Sequence, residues 1–239
     1  MKKVFFALIF TVSLAKVGYA IDDGLMKHYV EECLSVIDKP VVDVTSAYGK
    51  LRYNYTRGKD FLKRETEEKY KANGLDMPED FIPIGLTKVR DSFSFDLTVG
   101  QIEISHGYEC IYPEKIEAHL GYYVPTIYIS KDLEKDSCLY DVAVRHEKTH
   151  MQIYLEALDY FLPEFKKTAE GLFENVGVKI VAPGQQADVV AKELNVEYLQ
   201  KLQQKVETWR KEVEFEQMKL DSVENYIIEN KLCEKFDKK

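Results

Sequence analysis

The chain has 239 residues, of which 45% are hydrophobic and 31% are charged, and its formal net charge is −8. This length is ample for a domain with a hydrophobic core, and the 16 Tyr and 12 Phe residues exclude a disordered or low-complexity chain. The acidic balance argues against nucleic acid as a partner, because binding to phosphates requires concentrated Lys and Arg.

The N-terminal residues 1–20 have the regions of a secretory signal peptide. Lys2 and Lys3 form a positively charged start, and residues 4–15 form an apolar run that is too short to span a bilayer. Small residues then stand at the positions that signal peptidase recognises. We therefore expect cleavage after Ala20, a periplasmic or secreted location, and no membrane span in the mature chain.

Export would place the four cysteines in an oxidising compartment. An even number of cysteines there predicts two disulfides, and four buried free thiols are the alternative. Three pairings are compatible with the sequence. We favour Cys110–Cys138 together with Cys33–Cys233, because the second bond would join the two ends of the mature chain.

The first half of the mature chain is rich in strand signals. Residues 21–38 favour a short helix that ends before Pro40, and residues 41–56, rich in β-branched residues and Tyr, predict a hairpin. A charged, helix-favouring stretch follows at residues 58–74. Between residues 81 and 130 several runs have strand character, namely 92–99, 101–104 and 126–130.

The second half is helical. Residues 137–162 lack Gly and Pro and predict a helix that ends at Pro163, followed by a second helix over residues 164–174. Residues 185–236 predict one or two long helices. Apolar residues recur there with a period of seven and form a seam: Leu199, Val206, Val213, Leu220 and Ile227. This seam either packs against its own domain, as we favour, or forms a homodimer.

The helix predicted over residues 137–162 contains an H-E-x-x-H motif. Residues four apart lie on one face of a helix, so His146 and His150 can both direct a ring nitrogen at one ion. Zn²⁺ suits two neutral imidazoles and lowers the pKa of a bound water to about 7. Glu147 can reach such a water and act as general base. The alternatives are a metal site without catalysis and a chance pair of histidines.

In this motif the chain resembles the zincin superfamily of zinc metallopeptidases. The resemblance covers the H-E-x-x-H residues and the order of a strand, residues 125–130, followed by the helix. In zincins the strand runs beside the substrate. The resemblance implies His146 and His150 as zinc ligands, Glu147 as general base, and a peptide or protein substrate.

The chain is also loosely similar to a secreted bacterial family of predicted H-E-x-x-H peptidases of otherwise unknown function. Those proteins have a strand-rich first half, the motif on a long helix, and a C-terminal helical tail with an Asp-containing motif. Leu220-Asp221 and Tyr226 correspond to that tail, whereas Glu224 stands where the family tends to have Thr. We therefore expect an α+β, zincin-like catalytic domain over residues 21–183, with a helical segment over residues 184–239 that packs on it or on a partner.

A catalytic zinc also needs a third protein ligand. The metzincin pattern would place a His at position 156, but Glu156 stands there and lies about 240° around the helix from His150. Asp159 lies about 180° around the helix, so it also faces away. We expect the third ligand to come from beyond the break at Pro163.

Glu170 is our preferred third ligand. It is the twentieth residue after His150, a spacing that resembles the thermolysin-like gluzincins. Glu174 is the close alternative. The first helix would extend twelve residues beyond His150, so an antiparallel second helix would need about twelve residues to return to the level of His150. Asp221 and Glu224 in the C-terminal helices are further candidates.

Two functions follow from these features. The first is an exported zinc metallopeptidase that hydrolyses peptide bonds with a zinc-bound water activated by Glu147. The second is a non-enzymatic envelope protein that binds a partner or dimerises through its C-terminal helices, with a vestigial or structural metal site.

Overall fold

The structure is a computed structural model that describes residues 23–79 and 81–234. The predicted signal peptide, residues 1–20, lies outside the described residues. The described chain mixes a sheet with several helices, which confirms the predicted α+β class. Its elements in order are α1 (Asp23–Val36), β1 (Val41–Tyr48), β2 (Arg52–Asn54), α2 (Lys59–Ala72), β3 (Gly85–Glu103), β4 (Glu109–Ile129), α3 (Cys138–Asn175), β5 (Lys179–Val181), α4 (Ala187–Leu220) and α5 (Val223–Glu234).

The long strand β4 organises the sheet. It pairs along its whole length with β3 in antiparallel fashion. Its other edge pairs in succession with β5, which is antiparallel, and with β1 and β2, which are both parallel to it. Residues 126–128 therefore have both edges occupied, by β2 and β3. The strand expected to run beside the substrate is thus an internal one.

The predicted hairpin over residues 41–56 is wrong, because β1 and β2 pair with β4 and run in the same direction. Gly49 marks the step between them and donates its N–H to the carbonyl of Tyr122, at 2.8 Å. A Cβ at Gly49 would lie 2.8 Å from that carbonyl oxygen and from the backbone nitrogen of Val124. The glycine thus permits a close approach between strands rather than a reversal of the chain.

The alternating pattern of β4 determines which face of the sheet is covered. Ile116, Ala118, Leu120 and Tyr122 are buried in one core with residues of α3 and α4. The two long helices therefore pack on one face of the sheet and form a second layer. None of the helices in the described ranges is long and apolar enough to cross a membrane.

The helix α3 is continuous for 38 residues and contains Pro163, where the sequence predicts a break. An internal proline costs a helix about 3 kcal/mol. Phe161 and Phe165 flank it and are both buried in the core, and each buried Phe contributes about 1.5–3 kcal/mol. Packing therefore outweighs the local preference of Pro163.

The helix α4 buries one face in the same core as α3 and the sheet. The buried residues recur at intervals of three or four, as a helix packed on its own domain requires. Ile227, the last position of the predicted seam, is exposed on α5. The buried residues of α4 are Leu194, Tyr198, Leu202, Val206, Trp209 and Val213, with Gln217 as a polar exception.

The structure contains two disulfides, as predicted, but the predicted pairing is wrong. Cys33 of α1 is bonded to Cys110 at the start of β4, and Cys138 is bonded to Cys233 of α5. Their Cα atoms are 5.9 Å and 5.5 Å apart, within the range of disulfides. The prediction failed because α5 returns to the first turn of α3 and not to the N-terminal helix.

Candidate metal centre

Three metal-binding side chains meet between α3 and the end of α4. Nε2 of His146 and Nε2 of His150 are 3.1 Å apart, and Oδ1 of Asp221 lies 3.2 Å and 2.9 Å from them. Ligand atoms of a tetrahedral zinc site, with bonds of about 2.0–2.1 Å, are roughly 3.3 Å apart. These three atoms can therefore hold one ion and leave a fourth coordination position open.

Hydrogen bonds on the far side of each imidazole fix its orientation. Nδ1 of His146 faces a carboxylate oxygen of Glu229 at 2.9 Å. Nδ1 of His150 faces the side-chain oxygen of Gln217, whose nitrogen in turn donates to the carbonyl of His150. Both Nδ1 atoms therefore act as donors, and each Nε2 faces Oδ1 of Asp221, to which it can donate a proton when it is not bound to a cation. Two imidazole nitrogens and a carboxylate oxygen at this spacing could hold a metal ion.

Asp221 reaches the histidines because α4 ends at Leu220 and the chain turns there into α5. The side-chain nitrogen of Asn225 donates to the carbonyl of Leu220 and holds this turn. The second oxygen of Asp221 accepts from Nζ of Lys69 at 3.2 Å. Oδ1 of Asp221 therefore faces the histidines, and its Oδ2 accepts a hydrogen bond from Lys69 of α2.

The electrostatics of the cluster keep Asp221 ionised. Burial alone would raise the pKa of Asp221, but hydrogen bonds from His146 and His150 and the charge of Lys69 hold it well below its usual range. Burial alone would lower the pKa of His146, but its bond to Asp221 and the nearby carboxylates raise it. An anionic carboxylate beside two imidazoles is a donor set that zinc accepts.

The structure does not bring Glu170 to this cluster, so the predicted third ligand is wrong. Because α3 runs on through Pro163, Glu170 lies roughly 30 Å along the helix axis from His150, and it is exposed. Glu174 is also exposed and forms an ion pair with Lys39 at 3.0 Å. Asp221, which the sequence offered as a further candidate, lies beside the two histidines instead.

Glu147 lies beside the ligands and is buried. Its Oε2 has no hydrogen-bond partner within the described chain. Burial raises the pKa of Glu147, while the charges of His150 and His146 oppose that shift. Gly85 of β3 makes room for it, since a Cβ there would lie 2.5 Å from Oε1 of Glu147. The carboxyl group is thus held in place with one oxygen free to accept a proton.

Tyr226 of α5 is the second polar group at the cluster. Its Oη lies 3.3 Å from Nε2 of His146 and 3.3 Å from Oδ1 of Asp221. Burial and the charge of Asp221 raise the pKa of Tyr226, so the phenol stays protonated and can donate. In the sequence, Tyr226 is indicated only by the similarity of the chain's C-terminal tail to the secreted bacterial family.

A small cavity of about 20 Å³ lies against Glu147, His150, Asp221 and Tyr226. This volume suffices for one water molecule. Residues of α2 and of the segment before β3, among them Thr66, Phe81 and Pro83, close it on the other side. The metal centre is therefore covered in this structure rather than open to solvent.

Comparison of the chain with known protein families, with curated proteins and with solved structures finds no match. Inference about function therefore rests on the chemistry of the site.

Proposed function

We propose that the protein is an exported zinc metallopeptidase with a zincin-like arrangement of its active site. The convergence of His146, His150 and Asp221 next to the free carboxylate oxygen of Glu147 supports this most directly. The order of β4 followed by the motif-bearing α3 agrees with the zincin resemblance, whereas residues 126–128 of β4, paired on both edges, depart from it. The two disulfides suit an oxidising compartment, which supports export.

Each residue of the proposed site has a distinct chemical role. Zinc held by His146, His150 and Asp221 would lower the pKa of water and polarise a peptide carbonyl. Glu147 accepts the proton of the attacking water at Oε2 and passes it to the leaving amine, so that water is added across the C–N bond. Tyr226 donates from Oη to the carbonyl oxygen of the substrate as negative charge develops there.

The raised pKa of Glu147 fits this role. A carboxyl group at its ordinary pKa holds a proton too weakly to return it to an amine at neutral pH. Burial raises the pKa of Glu147 against the opposing charges of His150 and His146, and so strengthens its hold on the proton that it must return.

A structural metal site in a non-enzymatic envelope protein is the second candidate, and burial favours it. His146 is 3% and His150 5% exposed, and the adjoining cavity holds no more than a water molecule. On α5, Ile227 and Ile228 are 49% and 61% exposed, which leaves apolar surface for a partner or a second copy. This candidate predicts metal binding without hydrolysis.

We expect the purified chain to contain about one zinc per molecule and His146→Ala to contain almost none. Removing one imidazole leaves two ligands and takes away the hydrogen-bond partner of Glu229. Elemental mass spectrometry on protein prepared without chelator measures the zinc content. His28→Ala, at an exposed position of α1, is the matched control and should keep its zinc. Absence of zinc from the unmodified protein after zinc is supplied would contradict the proposal.

The disulfide Cys138–Cys233 should support metal affinity, because it ties α5, with Glu229 and Tyr226, to the start of α3. We expect the double Cys→Ser variant at these positions to bind zinc about tenfold more weakly, as the loss of outer hydrogen-bond partners does. Competition with a chromogenic chelator measures the affinity.

The control removes the other disulfide, Cys33–Cys110. The two bonds close loops of similar length, with sequence separations of 77 and 95, so both variants should lose similar stability. Only loss of Cys138–Cys233 should weaken zinc binding. If both double variants bound zinc equally weakly, the loss of affinity would be due to general destabilisation of the fold.

A further inference from the structure

The segment that joins α2 to β3 closes the water-sized cavity at the metal centre. Phe81 and Pro83 of this segment line the cavity together with Tyr226. The rings of Phe81 and Tyr226 are in edge-to-face contact, with their centroids 4.7 Å apart. We call the described residues 76–79 and 81–83 of this segment the lid.

A peptide cannot reach the metal ligands while the lid is in this position. His146 and His150 are 3% and 5% exposed, and the cavity beside them has a volume of about 20 Å³. That volume holds one water molecule but not a peptide group. Hydrolysis of a peptide therefore requires that one of the elements around the cavity moves.

The other walls of the cavity are held more firmly than the lid. The helix α5 is bonded to the start of α3 by a disulfide. Leu62 and Thr66 bury one face of α2, and Lys69 of the same helix forms an ion pair with Asp221. The strand β3 pairs with β4 from Gly85 onward. Movement of any of these elements would break buried packing, an ion pair, a covalent bond or strand pairing.

The lid itself has few attachments. Among the described residues its one hydrogen bond runs from the N–H of Phe81 to the carbonyl of Pro78, and so lies within the lid. The chain is held on either side of it, where the N–H of Leu75 donates to the end of α2 and the carbonyl of Ile84 accepts from the N–H of Ser130 at 2.9 Å. A segment with so few contacts to the body of the protein opens at low cost.

A glycine marks the point where the lid leaves α2. Gly74 has a φ of +71°, in the left-handed region that favours glycine, and a Cβ built there would have no atom within 4 Å. Its backbone can therefore rotate without a clash with the rest of the protein. Hinges of this kind are residues at the ends of elements that absorb a change of φ and ψ.

We propose that the lid swings about Gly74 to uncover the metal centre, and that the ring contact between Phe81 and Tyr226 holds it closed. As a gate for a peptide substrate this rests on the proposed peptidase function, whereas the opening itself is measured without metal or substrate.

The test is acylation of histidine rings by diethyl pyrocarbonate in the metal-free, full-length protein, followed by peptide mass spectrometry. The reagent is larger than the closed cavity, so His146 and His150 react only when it opens. We expect them to react at least about 100-fold more slowly than His28, which is exposed on α1. Phe81→Ala should raise their rates about tenfold, because it removes the aromatic contact. Ile82→Ala, at the adjacent exposed position, should leave them unchanged.

Truncation of Phe81 also widens the cavity, so a second variant leaves the cavity wall intact. Gly74→Ala strains the backbone of the closed lid, because alanine disfavours a positive φ, and should raise both rates about fivefold. Gly184→Ala is the matched control. Gly184 has a φ of +86° and likewise no atom within 4 Å of a built Cβ, but it lies between β5 and α4, so both rates should stay unchanged.

Three results would refute the lid. Wild-type His146 and His150 that react as fast as His28 would mean that the site is not covered. Equal rates in Phe81→Ala and Ile82→Ala would mean that the ring contact does not hold the lid. Equal rates in Gly74→Ala and Gly184→Ala would mean that the chain does not swing about Gly74.

The failure of the lid and the failure of the peptidase function give different results. Acceleration in both lid variants, together with a zinc-loaded wild-type protein that cleaves no peptide, would contradict only the peptidase function. Cleavage of peptides with unchanged histidine reactivity in both lid variants would contradict only the lid.

Discussion

Glu147→Gln is expected to lower kcat/KM for peptide hydrolysis by about 10²–10⁴-fold while leaving one zinc bound per chain. The amide has the size and shape of the carboxyl group, and the cavity that Gly85 leaves for it is unchanged. An amide cannot accept the proton of the attacking water, so only the base is removed. Hydrolysis of a mixed peptide library, followed by mass spectrometry, measures the rate alongside the zinc content.

The matched control for this substitution is Glu156→Gln. Glu156 lies on the same helix but is exposed, and we expect the variant to retain both zinc and activity. A Glu147→Gln protein with an unchanged hydrolytic rate would mean that another group serves as base. Bound zinc without hydrolysis in the wild-type protein would favour the structural metal site.

The proximity of the two histidines is the part of the candidate site that the sequence predicts well. A spacing of four residues places His146 and His150 on one helical face whatever the rest of the fold does, and only local geometry is needed. Period and composition likewise predict the α+β class, because strand and helix signals occupy separate halves of the chain.

The choice of a third candidate ligand depends on tertiary structure, and helical spacing alone could not single out Asp221 from the acidic residues considered. Asp221 is 71 residues from His150 in sequence and approaches it only because α4 returns along α3. The expectation of Glu170 assumed that Pro163 breaks the helix. Buried phenylalanines on either side override that local preference, so every position after Pro163 lies farther along one axis.

The C-terminal helices contribute side chains to the candidate site, and α4 packs in one core with α3 and the sheet. Gln217 and Asp221 contact the histidines from α4 and its end, and Tyr226 and Glu229 contact them from α5. Cys233 then bonds α5 to the first turn of α3. The candidate metal site is therefore complete only with the last two helices in place.

Asp221→Ala is expected to weaken zinc binding by more than about 100-fold, beyond the 10–100-fold that the loss of an outer hydrogen-bond partner costs. The substitution removes one of three ligands and leaves Lys69 with Glu214 as its remaining partner. Competition with a chelator of known affinity gives the zinc dissociation constant. Glu170→Ala is the decisive comparison, because the gluzincin spacing selects that residue and the structure places it on an exposed surface. Loss of zinc from Glu170→Ala together with its retention in Asp221→Ala would refute this ligand set. Glu170 as third ligand and Asp221 as third ligand predict opposite zinc contents for the same two variants.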